Sequence, residues 1–161
     1  MSDAEITAAP GPEWWFYHLD MTGPDEAAGP LIAKCLERRW RVLAVSPSAA
    51  RRAALDEALW THSADSFLPH AQVDAPGLEP ARQPVLIAGD LQAANGAQAL
   101  LLLDGMDAPV DAPFERCMVM FDGADAETLA TARRQYKAAK GAGRVCKYFK
   151  QTPAKGWRQA D

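Results

Sequence analysis

Few residues in this sequence are of types that carry out chemistry, and their spacing decides what each can do. Residues 100–104, LLLLD, end on an aspartate of the kind that holds magnesium in nucleotide hydrolases. That role needs a companion loop of the form G-x-x-x-x-G-K-[ST], whose amides cradle phosphates, and the chain contains none. Asp104-Gly105 therefore reads as a turn after a buried strand. Asp104 with Asp107 as a metal-holding pair is kept as the enzyme-type alternative. Gly141-Ala142-Gly143 resembles part of a dinucleotide fingerprint but falls where a helix ends, so its amides would not face a phosphate. It reads as a helix stop, with Gly141 in the left-handed position. His18, His62 and His70 show no metal-ligand spacing among themselves or with Cys35, Cys117 and Cys146. The three cysteines are an odd, widely spaced set placed in apolar segments, which suits reduced and inert thiols. No G-x-S-x-G elbow is present. The sequence assigns no catalytic residue, no metal ligand and no cofactor site.

Two constellations suit binding instead. In Arg133-Arg134-Gln135-Tyr136-Lys137-Ala138-Ala139-Lys140, helical spacing puts Arg133, Tyr136, Lys137 and Lys140 on one face. Three cations beside a ring can hold a carboxylate and an apolar side chain together, arginine by a two-pronged grip and lysine as a flexible charge. The same face also suits a solvated basic helix, and bases interleaved with Lys147, Tyr148 and Lys150 would suit single-stranded nucleic acid. The second constellation is Leu55-Asp56-Glu57-Ala58-Leu59-Trp60 followed by Ser66-Phe67-Leu68-Pro69-His70. Trp60 and Phe67 either fill the core or anchor an interface, and spacing alone leaves both open. Pro69 would keep an exposed sheet edge from pairing at random.

The elements that must position these groups follow from pattern. Residues 13–19, EWWFYHL, read as a first strand. Pro24-Asp25-Glu26 opens a helix to about Arg39, with acids against its N-terminal dipole. Residues 40–46 form a short buried strand, and Ser46-Pro47-Ser48 starts a helix to about Trp60, in which Arg52 and Asp56 lie one turn apart and can pair. Residues 66–70 read as an extended piece stopped by Pro69, and residues 71–84, with three prolines and a glycine, as a loop. Residues 84–88, 99–103 and 116–121 are three further strands. Asp125 caps a last helix, after which residues 145–150 form an edge strand followed by a polar tail. Strands separated by helices imply an α/β fold: a Rossmann-like, mostly parallel sheet with helices on both faces, in one domain over residues 13–161. Residues 1–12 read as a disordered lead-in without the pattern of a secretory signal, and no run is long and apolar enough to span a membrane as a helix. The expected location is the cytoplasm.

Charge sharpens the picture. The chain has 161 residues and a net charge of −4, yet residues 133–161 hold nine of its 17 basic residues and only one of its 21 acidic ones. A basic end on an acidic body attracts something negative at one place.

LDEALW with SFLPH, and ARRQYKAAKGAG at residues 132–143, resemble the characteristic segments of the DNA polymerase III chi subunit family. The first aromatic strand and the order of elements agree, so the resemblance covers nearly the whole chain. It implies a Rossmann-like fold without nucleotide chemistry, acting as a non-catalytic adaptor in DNA replication. It also implies membership of the clamp-loader assembly and binding to the acidic C-terminal tail of single-stranded DNA-binding protein. On this resemblance Arg133, Tyr136 and Lys137 hold the tail and Phe121 lines an apolar pocket; Arg134 and Lys140 join them from charge and spacing. The segment with Trp60, Phe67, Pro69 and His70 would face a psi subunit or an equivalent partner. Residues 70–84 and 88–99 follow no family pattern, and the end beyond Tyr148 is longer and more basic than in the family, so it is expected either to bind the acidic tail or to touch single-stranded DNA directly.

Overall fold

A computed structural model describes residues 11–61, 68–92, 94–154 and 156–160. The expectation for residues 1–10, and that for Phe67, lie outside this range.

The described chain forms strands β1 (Glu13–Leu19), β2 (Val42–Val45), β3 (His70–Gln72), β4 (Val85–Ala88), β5 (Ala99–Leu102), β6 (Arg116–Asp122), β7 (Cys146–Gln151) and β8 (Trp157–Gln159). Its α-helices are α1 (Pro24–Glu37), α2 (Ala49–Trp60) and α3 (Ala126–Gly141). The strands make one sheet in the order β3-β4-β2-β5-β6-β1-β7-β8, parallel throughout except for the β7–β8 pair. β2, β4 and β5 are buried at every position, as parallel strands covered on both faces must be. One face packs Tyr17, Leu19 and Met118 against Ile32 of α1 and Leu55 and Leu59 of α2. The other packs Trp14, Phe16, Leu43, Leu102, Val119 and Phe121 beneath α3, with Ala132 and Ala139 allowing close approach. The α/β architecture read from the sequence is the one observed.

The caps follow the local chemistry. The Ser48 hydroxyl accepts from the Arg51 amide, and the Asp125 carboxylate from the Glu127 amide, each satisfying a donor that the first turn leaves free. Asp104 and Gly105 both take positive φ (57° and 77°), and the Met106 amide closes on the Leu103 carbonyl, so this is the turn expected after β5. The Asp104 carboxylate accepts from Ser46 Oγ at 2.6 Å and pairs with Arg51 at 3.1 Å. Asp107 accepts from Gln135 Nε2 at 2.9 Å. The two carboxylates are thus tied to different partners, and no cluster of three or more metal-ligating side chains occurs among the described residues.

Several local expectations are corrected. α3 does not stop on Gly141, which is still helical. The left-handed residue is Gly143 (φ 80°), with Gly143 N–H on Lys140 O and Arg144 N–H on Ala139 O. Either glycine can make the turn, and the two-bond closing motif selects the later one. Arg52 does not pair with Asp56. It donates to the Ser46 carbonyl at 2.7 Å, while Asp56 meets His70 at 3.1 Å. Pro69 does not end an extended piece but immediately precedes β3, the sheet's outer strand, so residues 70–72 are strand; a short 3₁₀ turn follows at Pro80–Arg82. β7 is not the edge either. Residues read as a polar tail fold back as β8, and Trp157 sets its ring against Tyr17 at 5.1 Å. A hairpin closed by Thr152 N–H to Gly156 O makes this return.

The thiols behave as buried groups. Burial pushes Cys117 from an ordinary value of 9.0 up to about 12 and also raises Cys35 and Cys146. The folded state therefore holds protons that the unfolded chain has released above pH 9, and stability falls as pH rises toward 12. Between those limits a single such thiol contributes at most about 1.4 kcal/mol per pH unit. Urea midpoints measured across this window should fall more steeply for the wild type than for Cys117→Ala. Parallel slopes would show that the Cys117 thiol does not titrate with unfolding.

Candidate functional site

α3 lies across the face made by β6, β1 and β7, and its flanks are chemically different. Ala132, Gln135 and Ala139 point into the protein. Gln135 Nε2 donates to Met106 O and Asp107 Oδ1, fixing the helix to the turn after β5. The flank toward β7 carries Arg133, Tyr136 and Lys140, while Lys137 lies on the outward side of the helix, opposite Ala132, Gln135 and Ala139. Arg133, Lys137 and Lys140 are exposed, and Tyr136 is half-buried.

Beneath that flank the strands present rings. Parallel register sets His18 of β1 beside Phe121 of β6, and Phe16 beside Tyr148 of β7. Ring centroids are 5.1 Å apart for His18–Phe121, 6.2 Å for Phe121–Tyr148, 6.3 Å for Tyr136–Tyr148 and 5.4 Å for Phe16–Tyr136. These edge-on and tilted contacts make a continuous aromatic floor running from the strand ends to the helix. Phe121 is almost wholly covered, at 2% exposure, whereas Tyr148 is half-buried and reachable.

The polar groups at this floor are linked. His18 Nδ1 lies 2.7 Å from the Tyr148 hydroxyl, and Nε2 lies 3.2 Å from Asp20 Oδ1. With Nε2–H donated to Asp20, Nδ1 accepts the phenol proton, so all three groups are satisfied by one tautomer. Burial raises the Tyr148 pKa and keeps the phenol protonated; Arg133 opposes that shift and Asp20 reinforces it. Arg133 is therefore a helix cation close enough to act on the Tyr148 phenol. Gly123 makes the arrangement possible, because a Cβ there would collide with the His18 imidazole. His18, Asp20 and Gly123 carry no sequence signal for this role. Only the register of β1 against β6 and β7 gathers them.

The remaining expected residues separate. Lys140 reaches the Tyr136 ring at 6.0 Å and opposes the burial that raises the Cys146 pKa, so it stands at the far end of the flank. Arg134 points to the opposite flank, lining a hollow of about 310 Å³ with Trp14, Asp107, Val110 and Ala138. It does not share the face of Arg133, since one helical step turns it about 100° away. Lys147, Tyr148 and Lys150, grouped as a nucleic-acid surface, divide between the two sheet faces: Lys147 sits over the Trp15 ring at 4.6 Å, and Tyr148 faces α3.

At the other edge of the sheet, Trp60 is 56% exposed at the end of α2, and its ring stands 4.9 Å from that of His70. His70 is buried, its Nδ1 2.6 Å from Leu68 O and its Nε2 3.1 Å from Asp56 Oδ1. It supports the indole from below rather than presenting itself, while Pro69 is exposed.

The fold and this ring-and-cation flank define a class: a Rossmann-like α/β domain with a basic helix laid along an aromatic strand edge. Residues 12–147 match the family described as DNA polymerase III chi subunit, and the chain belongs to that family. It is also similar to the probable DNA polymerase III subunit chi of Rickettsia prowazekii (strain Madrid E), at 31% identity over 77 residues. That match covers 48% of this chain and 46% of the relative, so the chain spans about half the length of the curated relative it matches. Tyr148 and Gln151 lie beyond the stretch that the family match covers.

Proposed function

We propose that this subunit acts without catalytic residues of its own. It links the clamp-loader assembly to single-stranded DNA-binding protein by holding that protein's acidic C-terminal tail along the α3–β7 junction. The observation that supports this most is the aromatic floor of Phe121, Tyr148 and Tyr136 lying beside a helix flank that carries the exposed Arg133. A peptide ending in an apolar residue with a free carboxylate needs a cation and a ring within one side chain's reach of each other, and this flank provides both. Lys137 and Lys140 extend the positive charge along the helix for the tail's other acids. Tyr136 offers a half-covered ring. Phe121 supports the floor from within, and the acidic body favours approach at this end only.

Calorimetric titration of the full chain with an acidic peptide ending in phenylalanine tests the reading. Binding should weaken as salt rises, and removing the terminal phenylalanine should abolish most of it. Equal affinity for the two peptides would remove the aromatic floor from the site.

The exposed Trp60, backed by the buried His70 and flanked by Pro69, is proposed as the surface that meets a psi subunit or an equivalent partner. An indole held in place by a ring beneath it loses little entropy on being covered, which is the property of an interface anchor. Trp60→Ala should cut capture of psi by about 30-fold or more, corresponding to at least 2 kcal/mol. Retention of wild-type capture by that variant would place the contact elsewhere.

A further inference from the structure

On the opposite sheet face, near the strand starts, a hollow of about 270 Å³ opens between α1 and strands β1, β6, β7 and β8. Its walls include the rings of Trp15, Phe149 and Trp157 and the cations Lys34, Arg38 and Arg116. None of these residues belongs to the α3 flank.

The cations are arranged in a way that folding alone does not explain. The Arg116 guanidinium lies 3.5 Å from the Trp15 ring centroid and 4.9 Å from that of Trp40, and Arg38 lies 4.1 Å from the same Trp40 ring. Two guanidinium groups thus share one indole, and Lys147 approaches Trp15 at 4.6 Å. Arg116 Nε is buried with no hydrogen-bond partner among the described residues. Glu13, the acid beside it in register at the start of β1, accepts from the Trp15 indole N–H at 2.8 Å. Burial lowers the Arg116 pKa, and Arg38 pushes it the same way, while Tyr17 and Glu13 counter them only in part. Lys34 and Arg38 are favourably placed at the C-terminal end of α1, where the helix dipole welcomes cations. That accounts for those two but not for Arg116, which comes from a strand. A desolvated cation with a donor to spare, facing like charge, is the complement of an absent anion.

Ring faces beside the cations narrow the ligand. Guanidinium groups already stacked on indoles present their remaining N–H edges to phosphate, and flat aromatic faces take nucleobases of any sequence. The volume is just below the ~300–1,000 Å³ usual for small-molecule pockets, so it admits one ring-sized group rather than a longer segment. We propose that this hollow is a second binding site, which takes one nucleotide unit of a single-stranded nucleic acid, the phosphate on Arg38 and Arg116 and the base against the Trp15, Phe149 and Trp157 rings. It is independent of the peptide reading for α3.

Fluorescence anisotropy with a labelled single-stranded oligo-dT, at several salt concentrations, tests it on the full chain. The wild type should bind, with quenching of tryptophan emission. Arg38→Gln, an exposed change that leaves the fold intact by circular dichroism, should weaken binding at least threefold. It should also reduce the magnitude of the salt slope by about 0.7, as expected when one single-strand phosphate contact is lost. Lys34→Gln should act in the same direction, and Arg133→Ala should leave oligonucleotide binding unchanged. An affinity and slope for Arg38→Gln equal to wild type overturns the proposal. So does loss of binding in Arg133→Ala alone, which would move nucleic acid to α3, or displacement of the oligonucleotide by acidic peptide with equal sensitivity to Arg38→Gln. Because the peptide titration depends on Arg133 and this one on Arg38, either reading can fail without the other.

Discussion

Gln151→Leu should lower the unfolding free energy by about 3 kcal/mol, the largest effect expected from a single polar residue outside the apolar core. Gln151 ends β7 and is 7% exposed. Its Oε1 accepts from three successive amides, those of Asp20, Met21 and Thr22, at 3.2, 2.8 and 3.1 Å. Its Nε2 donates to Thr22 Oγ1 at 2.9 Å. One side chain therefore satisfies most of the turn that joins β1 to α1, across about 130 residues of sequence. Leucine fills similar space and leaves the donors without an acceptor. A buried donor so abandoned costs about 1–3 kcal/mol, but the exposed Met21 indicates that water can reach part of this turn, so the three losses do not sum. For a chain of this size the melting temperature should fall by about 6–12 °C. Because Asp20 lies in the same turn and orients His18, peptide binding at α3 should weaken as well. Urea unfolding followed by circular dichroism gives the measurement. A loss below about 0.5 kcal/mol, within the range of ordinary surface changes, would mean that water replaces the amide's role.

Arg133→Ala should weaken the acidic, phenylalanine-ended peptide by about 10- to 100-fold. That corresponds to the ~1.5–3 kcal/mol of a hydrogen bond to a charged group. Folding stability should stay within about 0.5 kcal/mol of wild type, since Arg133 is exposed. Arg133→Lys should recover part of the affinity, because it keeps the charge but loses the two-pronged geometry. The informative control is Arg134→Ala. It removes the same charge one residue away, but on the flank facing Asp107 and Val110, and should cost little. Equal losses for Arg133→Ala and Arg134→Ala in calorimetry would show that the helix acts only as a diffuse positive surface. No loss for either would remove α3 from peptide binding.

The difference between those two arginines marks the line between what sequence and structure decide. Helical spacing was enough to put Arg133, Tyr136 and Lys140 on one face, because α-helix geometry is local. Spacing could not say that the face lies toward β7, nor that Arg134 lies against the turn after β5. Those facts depend on how α3 docks, through Ala132, Gln135 and Ala139. Strand β1 was legible to the residue from its density of aromatics, and α2 from Ser48 and its apolar spacing. β8 was not, because a strand of three residues carries too little pattern to read. Trp157 became informative only once Tyr17 was beside it.

The sequence by itself determined the α/β class, the asymmetry of charge and the family-like segments, all of which reside in neighbours along the chain. The tertiary structure alone decided that His18, Phe121 and Tyr148 form one floor, that His70 is covered while Trp60 is not, and that Arg116 stacks between indoles with a donor unused. The reason is that parallel pairing brings together residues up to about 130 positions apart, such as His18 and Tyr148, and nothing in either local sequence encodes that register.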